Sequence, residues 1–242
     1  MIFKFSNQDF LFKPRLIPSI ASFVCFCILL GLGGWQIKRL FWKTELIETR
    51  IKRYESEAKA LDSIKNPSNH EFEKVFISGE LLNEVEFFMP ALSKRGNNGF
   101  HILTPLRTSK NKIFIYDSGW VPTFKKEKET RKENMVEGKN LFEAVIRTPG
   151  RKGKFQPEND IEGNYWFFVE PSEMEKYSNL QLEQTFYLEA IKSGPNGFPI
   201  GGQTRIYIRN NHLQYAITWF LIACGLVGVY LAGSIKRVKK NS

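Results

Sequence analysis

The chain has 242 residues, of which 42% are hydrophobic, 14% aromatic and 25% charged, and its formal net charge is +10. This composition excludes a disordered or fibrous protein, and three cysteines are too few for a disulfide-stapled scaffold. A positive charge spread evenly over the protein would indicate that it binds a nucleic acid, a membrane surface or an acidic protein.

Both ends of the chain are basic, and each basic end borders a long uncharged run. Residues 1–15 carry a net charge of +2 and residues 236–242 one of +4, so the rest of the chain holds only +4. The uncharged runs, 16–37 and 213–235, contain 22 and 23 residues. Because roughly 20 apolar helical residues span a bilayer core, each run predicts a transmembrane helix. We therefore predict that the basic ends interact with the lipid bilayer, and we predict no nucleic-acid partner.

The first run has a second interpretation, as a cleaved signal peptide. Its apolar stretch is longer than the usual signal core, and residues 33–36 make a poor cleavage site, so we interpret it as an uncleaved anchor. Short basic flanks stay in the cytoplasm, whereas a long domain can cross the membrane. Both termini are therefore predicted to be cytoplasmic, with residues 38–212 outside. Lys38, Arg39 and Lys43 oppose this orientation, but the two tails outweigh them.

Residues 38–65 are predicted to continue the first run as a helical stalk. Apolar residues recur there at alternating intervals of four and three, at Leu40, Thr44, Ile47, Ile51, Tyr54, Ala58 and Leu61. This stripe predicts a helix packed on its own domain, and a partner-binding helix is the alternative. Pro67 and its polar neighbours end the element.

Residues 66–212 form the predicted external domain. Eight short runs rich in β-branched and aromatic residues predict strands, at Glu71–Leu82, Val85–Leu92, Phe100–Arg107, Lys112–Asp117, Asn140–Arg147, Tyr165–Glu170, Thr185–Lys192 and Thr204–Arg209. Ser172–Tyr177 predicts one helical turn, and the mixed-charge segment Lys125–Glu137 predicts a solvated loop or exposed helix. The predicted fold is an α+β membrane protein in which two transmembrane helices flank a mainly antiparallel β-sheet external domain with a helical stalk.

Recognisable catalytic motifs are absent from the sequence. All three cysteines lie in the uncharged runs, so an exported domain has no disulfide or thiol chemistry. The sequence contains no P-loop, H-E-x-x-H, G-x-S-x-G or C-x-x-C-H motif. We therefore predict no enzyme, with an exported enzyme of unidentified chemistry as an alternative.

Small residues recur at every fourth position in both uncharged runs. They are Cys27 and Gly31 in the first run and Cys224, Gly228 and Ala232 in the second. Such a stripe favours close pairing of the two helices, although glycine is common in membrane helices generally.

The best candidate site lies where the chain leaves and re-enters the outer leaflet. With antiparallel helices, the end of the first run and the start of the second bring together Trp35, Gln36, Arg39, His212, Tyr215 and Trp219. Imidazole is a common metal and haem-iron ligand, so His212 is either such a ligand or a simple interfacial histidine. The aromatic residues have an alternative role as interface anchors. Arg39, Arg205 and Arg209 can pair with ligand carboxylates such as haem propionates.

Four segments of the chain resemble the surfeit locus protein 1 family, which comprises cytochrome c oxidase assembly factors of bacterial and mitochondrial inner membranes. The segments are Leu32–Arg39 with Trp42-Lys43 and Leu46-Ile47, Gly119–Pro122, Phe155–Asn159 with Trp166, and Asn211–Trp219. They follow the family order and bracket the external domain, so the resemblance covers nearly the whole chain. One departure is Ser118, where the family usually has arginine. From the residues alone, Gly119 and Pro122 are turn formers and Trp120 is a packing residue.

The resemblance implies a function in building haem–copper cytochrome c oxidase. It implies that the protein holds haem a or delivers it to the catalytic subunit, and it maps the family's haem-associated histidine onto His212. The implied partners are oxidase subunits, above all the haem-bearing catalytic subunit, and the haem a synthesis machinery. A membrane-anchored interaction scaffold without haem is the alternative. Because 15 residues are few for a transit peptide, we expect a bacterial inner membrane with residues 38–212 in the periplasm.

Overall fold

The computed structural model describes residues 2–5, 8–150 and 152–237. In chain order, the elements are β1 (Ile2–Phe5), β2 (Gln8–Phe12), α1 (Leu16–Glu55), β3 (Lys59–Ala60), β4 (Lys74–Leu81), β5 (Phe87–Leu92), β6 (Asn98–Thr108), β7 (Ile113–Pro122), β8 (Lys139–Arg147), α2 (Pro171–Ser178), β9 (Tyr187–Ala190), α3 (His212–Ser234) and β10 (Ile235–Arg237). Two compact units result: a helical unit, Met1–Ile47 with Ile208–Ser242, and a β unit, Glu48–Tyr207. The predicted fold class is confirmed, because two apolar helices flank a β-rich domain.

Within the helical unit, α1 and α3 pack against each other in antiparallel orientation. The hydroxyls of Ser19 and Tyr230 lie 2.7 Å apart near one end of the pair. Further along, the Phe220 ring covers Gly33 so closely that a Cβ there would lie 2.6 Å from it. Both helices are long and apolar enough to span a membrane. The pairing that the small residues predicted is therefore present.

The surface that pairs the helices is not the predicted stripe. That stripe consisted of Cys27, Gly31, Cys224, Gly228 and Ala232. A Cβ on Gly31 or Gly228 would meet nothing within 4 Å, and the cysteines are exposed. The buried small residues are Gly33, Ala216 and Ala223 instead. A step of four residues rotates around a helix of 3.6 residues per turn, whereas a step of seven, such as 216 to 223, stays on one face.

The tails, predicted only as basic flanks, contain short strands. β1, β2 and β10 pair as an antiparallel sheet in that order. Residues 238–242 of the predicted C-terminal tail lie outside the described residues.

The helical stalk is shorter than the predicted range 38–65. α1 ends at Glu55, where the Ser56 amide and hydroxyl both donate to the carbonyl of Arg53. Ala58 and Leu61 therefore lie outside the helix, and Leu61 is buried in the core of the β unit. An apolar stripe specifies which side chains are buried, but a helix can stop while the stripe continues.

The last turns of α1 pack on the β unit to which they belong. The Arg53 guanidinium donates to the carbonyl of Glu71 at 3.2 Å, and the Arg50 guanidinium lies 4.7 Å from the centre of the Phe72 ring. These contacts agree with a helix end packed on its own domain.

Five strands of the β unit close into a small barrel. β4 pairs with β8, β8 with β9, β9 with β7, β7 with β6, and β6 returns to β4. Only the β7–β9 pair is parallel in this ring. The interior is filled by apolar side chains, including Val75, Ile77, Leu106, Phe114 and Leu188. A second core outside the ring contains Phe87, Trp166 and Met174, and α2 covers it.

Two of the eight predicted strands are absent from the described residues. Tyr165–Glu170 forms only isolated bridges, although Trp166 is fully buried, and Thr204–Arg209 has no strand partner. Both segments are rich in aromatic or β-branched residues, but a strand also needs a neighbour with free backbone groups. The predicted helical turn at Ser172–Tyr177 is present as α2.

The Gly119–Pro122 segment is strand rather than turn. β7 continues to Pro122, and Ser118 is the extra residue of a bulge, since Ile102 pairs with Gly119 and Leu103 with Asp117. Gly119 takes a φ of +117°, a backbone conformation that residues with a side chain rarely adopt. The predicted packing role of Trp120 is correct, because only 5% of its surface is exposed.

The mixed-charge segment Lys125–Glu137 is not fully solvated. It forms short 3₁₀ helices, Thr123–Lys125 and Lys128–Asn134, and it buries Arg131 and Asn134. Arg131 forms an ion pair with Glu86, which is also buried. A sequence pattern cannot distinguish a solvated charge from one that has a buried partner far away in the chain.

Candidate functional site

The site centres on His212, the first residue of α3. Its Nδ1 lies 2.7 Å from the side-chain oxygen Oε1 of Gln36 on α1. Because an amide oxygen only accepts hydrogen bonds, Nδ1 carries a proton, and the nitrogen that can act as a ligand is Nε2. The hydrogen bond gives the half-buried imidazole a defined orientation.

Asn210 adds a polar contact between the helices that the sequence did not predict. Its Nδ2 donates to Thr44 Oγ1 at 3.2 Å and approaches the carbonyl of Leu40 at 3.4 Å. Its Oδ1 is buried and has no hydrogen-bond partner among the described residues. Leaving a buried acceptor unpaired costs about 1–3 kcal/mol, so a bound water or ligand donor would be stabilised here. In the sequence, the only indication of this contact was the position of Asn210 just before the second predicted helix.

Arg39 stacks on an aromatic ring of its own helix. Its Cζ lies 4.0 Å from the centre of the Trp42 ring, and Arg39 forms no ion pair among the described residues. A guanidinium held by stacking keeps its hydrogen-bond donors free for a carboxylate. Trp42 was not among the predicted site residues.

The remaining predicted residues are placed less tightly. Trp35 and Tyr215 are 56% and 55% exposed, Trp219 is half-buried and Arg209 is exposed. Among the described hydrogen bonds, the one with Gln36, whose side-chain oxygen accepts, is the only one that involves the His212 ring. Arg205 is exposed and belongs to the β unit, so the structure does not group it with His212 in one unit.

This set of donors limits the kind of metal group that fits. The described residues contain no group of three or more His, Cys, Asp and Glu side chains placed to hold a metal ion. A bare ion needs several protein ligands, whereas haem brings its own equatorial nitrogens and needs only an axial ligand. A lone histidine whose Nε2 is free therefore fits haem better than it fits a bare metal ion.

The β unit contains a buried histidine–aspartate pair that the sequence did not predict. His101 Nδ1 lies 2.7 Å from Asp117 Oδ2, and the other Asp117 oxygen accepts from the Gly119 amide at 2.9 Å. Burial lowers the pKa of His101, but the charge and hydrogen bond of Asp117 outweigh it, so the pKa is raised overall. The residues are 16 positions apart, and only the β6–β7 register brings them together.

Comparison with known proteins places the chain among named relatives. The model of the SURF1 family matches residues 23–224. A SURF1-like protein of Caenorhabditis briggsae is 32% identical over 215 residues, which cover 79% of this chain and 67% of the relative. Surfeit locus protein 1 of Takifugu rubripes is 30% identical over 228 residues, covering 86% and 93%. A SURF1-like protein of the bacterium Rickettsia bellii is 29% identical over 212 residues, covering 86% of each.

Proposed function

The chain belongs to the SURF1 family, and on that premise we propose that it is an assembly factor for haem–copper cytochrome c oxidase, which holds haem a or delivers it to the catalytic subunit. The observation that carries the haem role is the hydrogen bond between His212 and Gln36. It leaves Nε2 of the imidazole free of protein partners among the described residues, as a ligand to the haem iron requires.

The residues around His212 have separate roles in this proposal. Haem, when bound, supplies an iron that accepts a single protein nitrogen as axial ligand. Gln36 keeps the proton on Nδ1 of His212, and Trp35, Tyr215 and Trp219 provide apolar surface against the macrocycle. Of the predicted arginines, Arg39 and Arg209 belong to the same unit as His212, and their guanidinium groups would pair with the propionates. A single axial ligand holds the group without trapping it, as a delivery protein requires.

The proposed location is a bacterial inner membrane. The two apolar helices and the Rickettsia relative support it, and the basic tails favour cytoplasmic termini with residues 38–212 in the periplasm. Proposed partners are the haem-bearing catalytic subunit, other oxidase subunits and the haem a synthesis machinery. A reporter enzyme that is active only outside the cytoplasm should be active when it is fused within residues 66–200. Activity of a reporter that works only in the cytoplasm, fused at the same positions, would contradict the orientation.

Haem content of purified variants tests the axial-ligand role. We expect His212→Ala, produced with haem a available, to lose most of the bound haem and its visible spectrum. His70→Ala is the matched control, because His70 lies in the β unit and pairs with Glu73 at 2.9 Å. An unchanged haem content in His212→Ala would contradict the proposal.

The second candidate is a membrane-anchored scaffold that binds oxidase subunits without haem. It is favoured by the exposed aromatic side chains of α1, since Phe41 is 67% and Trp42 48% exposed. Co-purification of oxidase subunits with both wild type and His212→Ala, with no haem in either, would select the scaffold. We propose a non-enzymatic role in both cases.

A further inference from the structure

A cavity of about 310 Å³ opens at one end of the barrel, within the β unit. Every strand of the ring contributes an inner wall residue, and these include Leu81, Ile102, Phe142 and Ala190. Segments 134–136 and 193–195 add further wall residues from outside the ring. Mouths of small barrels are common ligand sites, and this volume lies at the small end of the usual range.

Three hydroxyl groups line this cavity without protein partners. Thr104 and Tyr116 are directly opposite each other on β6 and β7, and only 2% and 5% of their surfaces are exposed. Ser118 follows in the bulge of β7. Within the described part of the chain, none of these hydroxyls forms a hydrogen bond with another residue. Hydroxyls that face a cavity without protein partners favour a ligand or waters that complete their hydrogen bonds.

The buried ion pair of Arg131 and Glu86 lines the same cavity. Their side chains are 4% and 6% exposed. Arg131 donates through Nε to the carbonyl of Lys125 at 3.1 Å and through Nη2 to Glu86. Among the described residues, Nη1 has no acceptor. Thus one charged donor group remains free beside the three hydroxyls.

We propose that this barrel mouth binds a small monocarboxylate with a compact apolar body. Its carboxylate accepts hydrogen bonds from the Arg131 guanidinium and from the Thr104 and Tyr116 hydroxyls, and its apolar part packs on Ile102 and Phe142. All of these groups line one cavity.

A carboxylate suits the wall better than a neutral or cationic head. Hydroxyls can donate and a guanidinium only donates, so the polar part of the wall is rich in donors. The negative charge of Glu86 is already paired with Arg131, and the Lys125 ammonium lies 3.3 Å from the cavity residue Asn134. An ammonium ligand would find no free carboxylate, because Glu86 is engaged by Arg131. An alcohol oxygen can accept from Arg131 Nη1, but this hydrogen bond is weaker than the one to a charged carboxylate.

Titration of the full-length protein in detergent with hexanoate tests this proposal. We expect saturable binding of hexanoate, followed by calorimetry, and binding of hexanol and hexylammonium at least about tenfold weaker. If hexanoate fails to bind, or if hexanol binds equally well, the proposal is wrong.

Paired variants on one strand locate the site. Thr104→Val removes a cavity hydroxyl, and we expect hexanoate binding about tenfold weaker. The matched control is Thr108→Val, because Thr108 lies on the same strand outside this cavity and donates to the carbonyl of Lys112. Equal affinities in the two variants would overturn the assignment.

A third variant covers the case in which Thr104→Val does not fold. Ser118→Leu fills the mouth from the exposed side of the bulge and leaves the ion pair intact, and it should abolish hexanoate binding. Retained binding in Ser118→Leu would contradict the site. The cavity and His212 belong to different units, so hexanoate binding and haem content are measured as separate properties.

Discussion

In the helical unit two polar side chains each keep one hydrogen-bonding position open, whereas in the β unit the carboxylate of Glu189 is engaged by three donors. His212 bonds to Gln36 through Nδ1 and leaves Nε2 free, and Asn210 leaves Oδ1 unpaired. Glu189, by contrast, accepts from three side chains, namely Arg147, Tyr187 and Thr204. The comparison suggests that a polar side chain holds structure when its hydrogen bonds are complete, and is available for a ligand when one position stays open.

The largest expected effect comes from breaking the buried ion pair of the β unit. Arg131→Ala leaves Glu86 buried without its partner, and we expect a loss of about 3–5 kcal/mol in the free energy of unfolding. Denaturant unfolding in detergent measures it. The double variant Arg131→Met/Glu86→Leu should recover most of the loss, because no charge remains buried. A single variant as stable as wild type would show that this pair does not hold the fold.

In the helical unit, overpacking the interface should have a smaller effect. Gly33→Val places side-chain atoms against the Phe220 ring, and we expect about 1–3 kcal/mol of destabilisation. Crosslinking between cysteines introduced at Ser19 and Tyr230 reports the helix pairing. Gly34→Val is the matched control, because a Cβ there meets nothing within 4 Å. Equal crosslinking in both variants would contradict the observed packing.

Removing the partner of His212 should weaken haem binding without abolishing it. Gln36→Leu frees the imidazole to adopt either tautomer, and we expect haem affinity to fall about 10–100-fold. Haem titration followed by visible absorbance measures this. Gln214→Leu serves as the control on the exposed side of α3. An affinity equal to wild type in Gln36→Leu would show that the hydrogen bond does not position the ligand.

The smallest effect is the pH dependence contributed by His101. Because its pKa is raised in the folded state, its pairing with Asp117 stabilises the protein fully below its ordinary pKa of about 6.5. The stabilisation is lost as the pH rises through the folded-state pKa. Melting curves of wild type and His101→Gln should therefore differ most at low pH and converge at high pH. A constant difference between wild type and His101→Gln across this pH range would contradict the pairing.

Helix positions and most strands could be predicted because their signals are local. The uncharged runs predicted α1 and α3, and period-two runs predicted the strands of the ring. The failures at Tyr165–Glu170 and Thr204–Arg209 share one cause, because a run of β-branched and aromatic residues does not specify the presence of a partner strand. The small-residue stripe failed for a related reason, since several faces of an apolar helix are rich in small residues and only packing selects one.

The candidate site was predicted in part. His212 and Gln36 followed from the antiparallel arrangement of two spans, and the structure joins them by a hydrogen bond. Asn210 and Trp42 were missed because their contacts depend on the rotation of each helix about its axis. Arg131 was missed because its charged neighbours in sequence are exposed while its partner, Glu86, is 45 residues away.

By itself, the sequence determined that two apolar helices flank a β-rich domain and that His212 begins the second helix. These features depend on length, hydropathy and residue type within short windows. Only the tertiary structure decided that five strands close into a ring with a cavity at its mouth, that Ser118 occupies a bulge and that Gln36 selects the tautomer of His212. The physical reason is that ring closure, register and hydrogen-bond partners are relations between distant residues, and short-range patterns do not contain them.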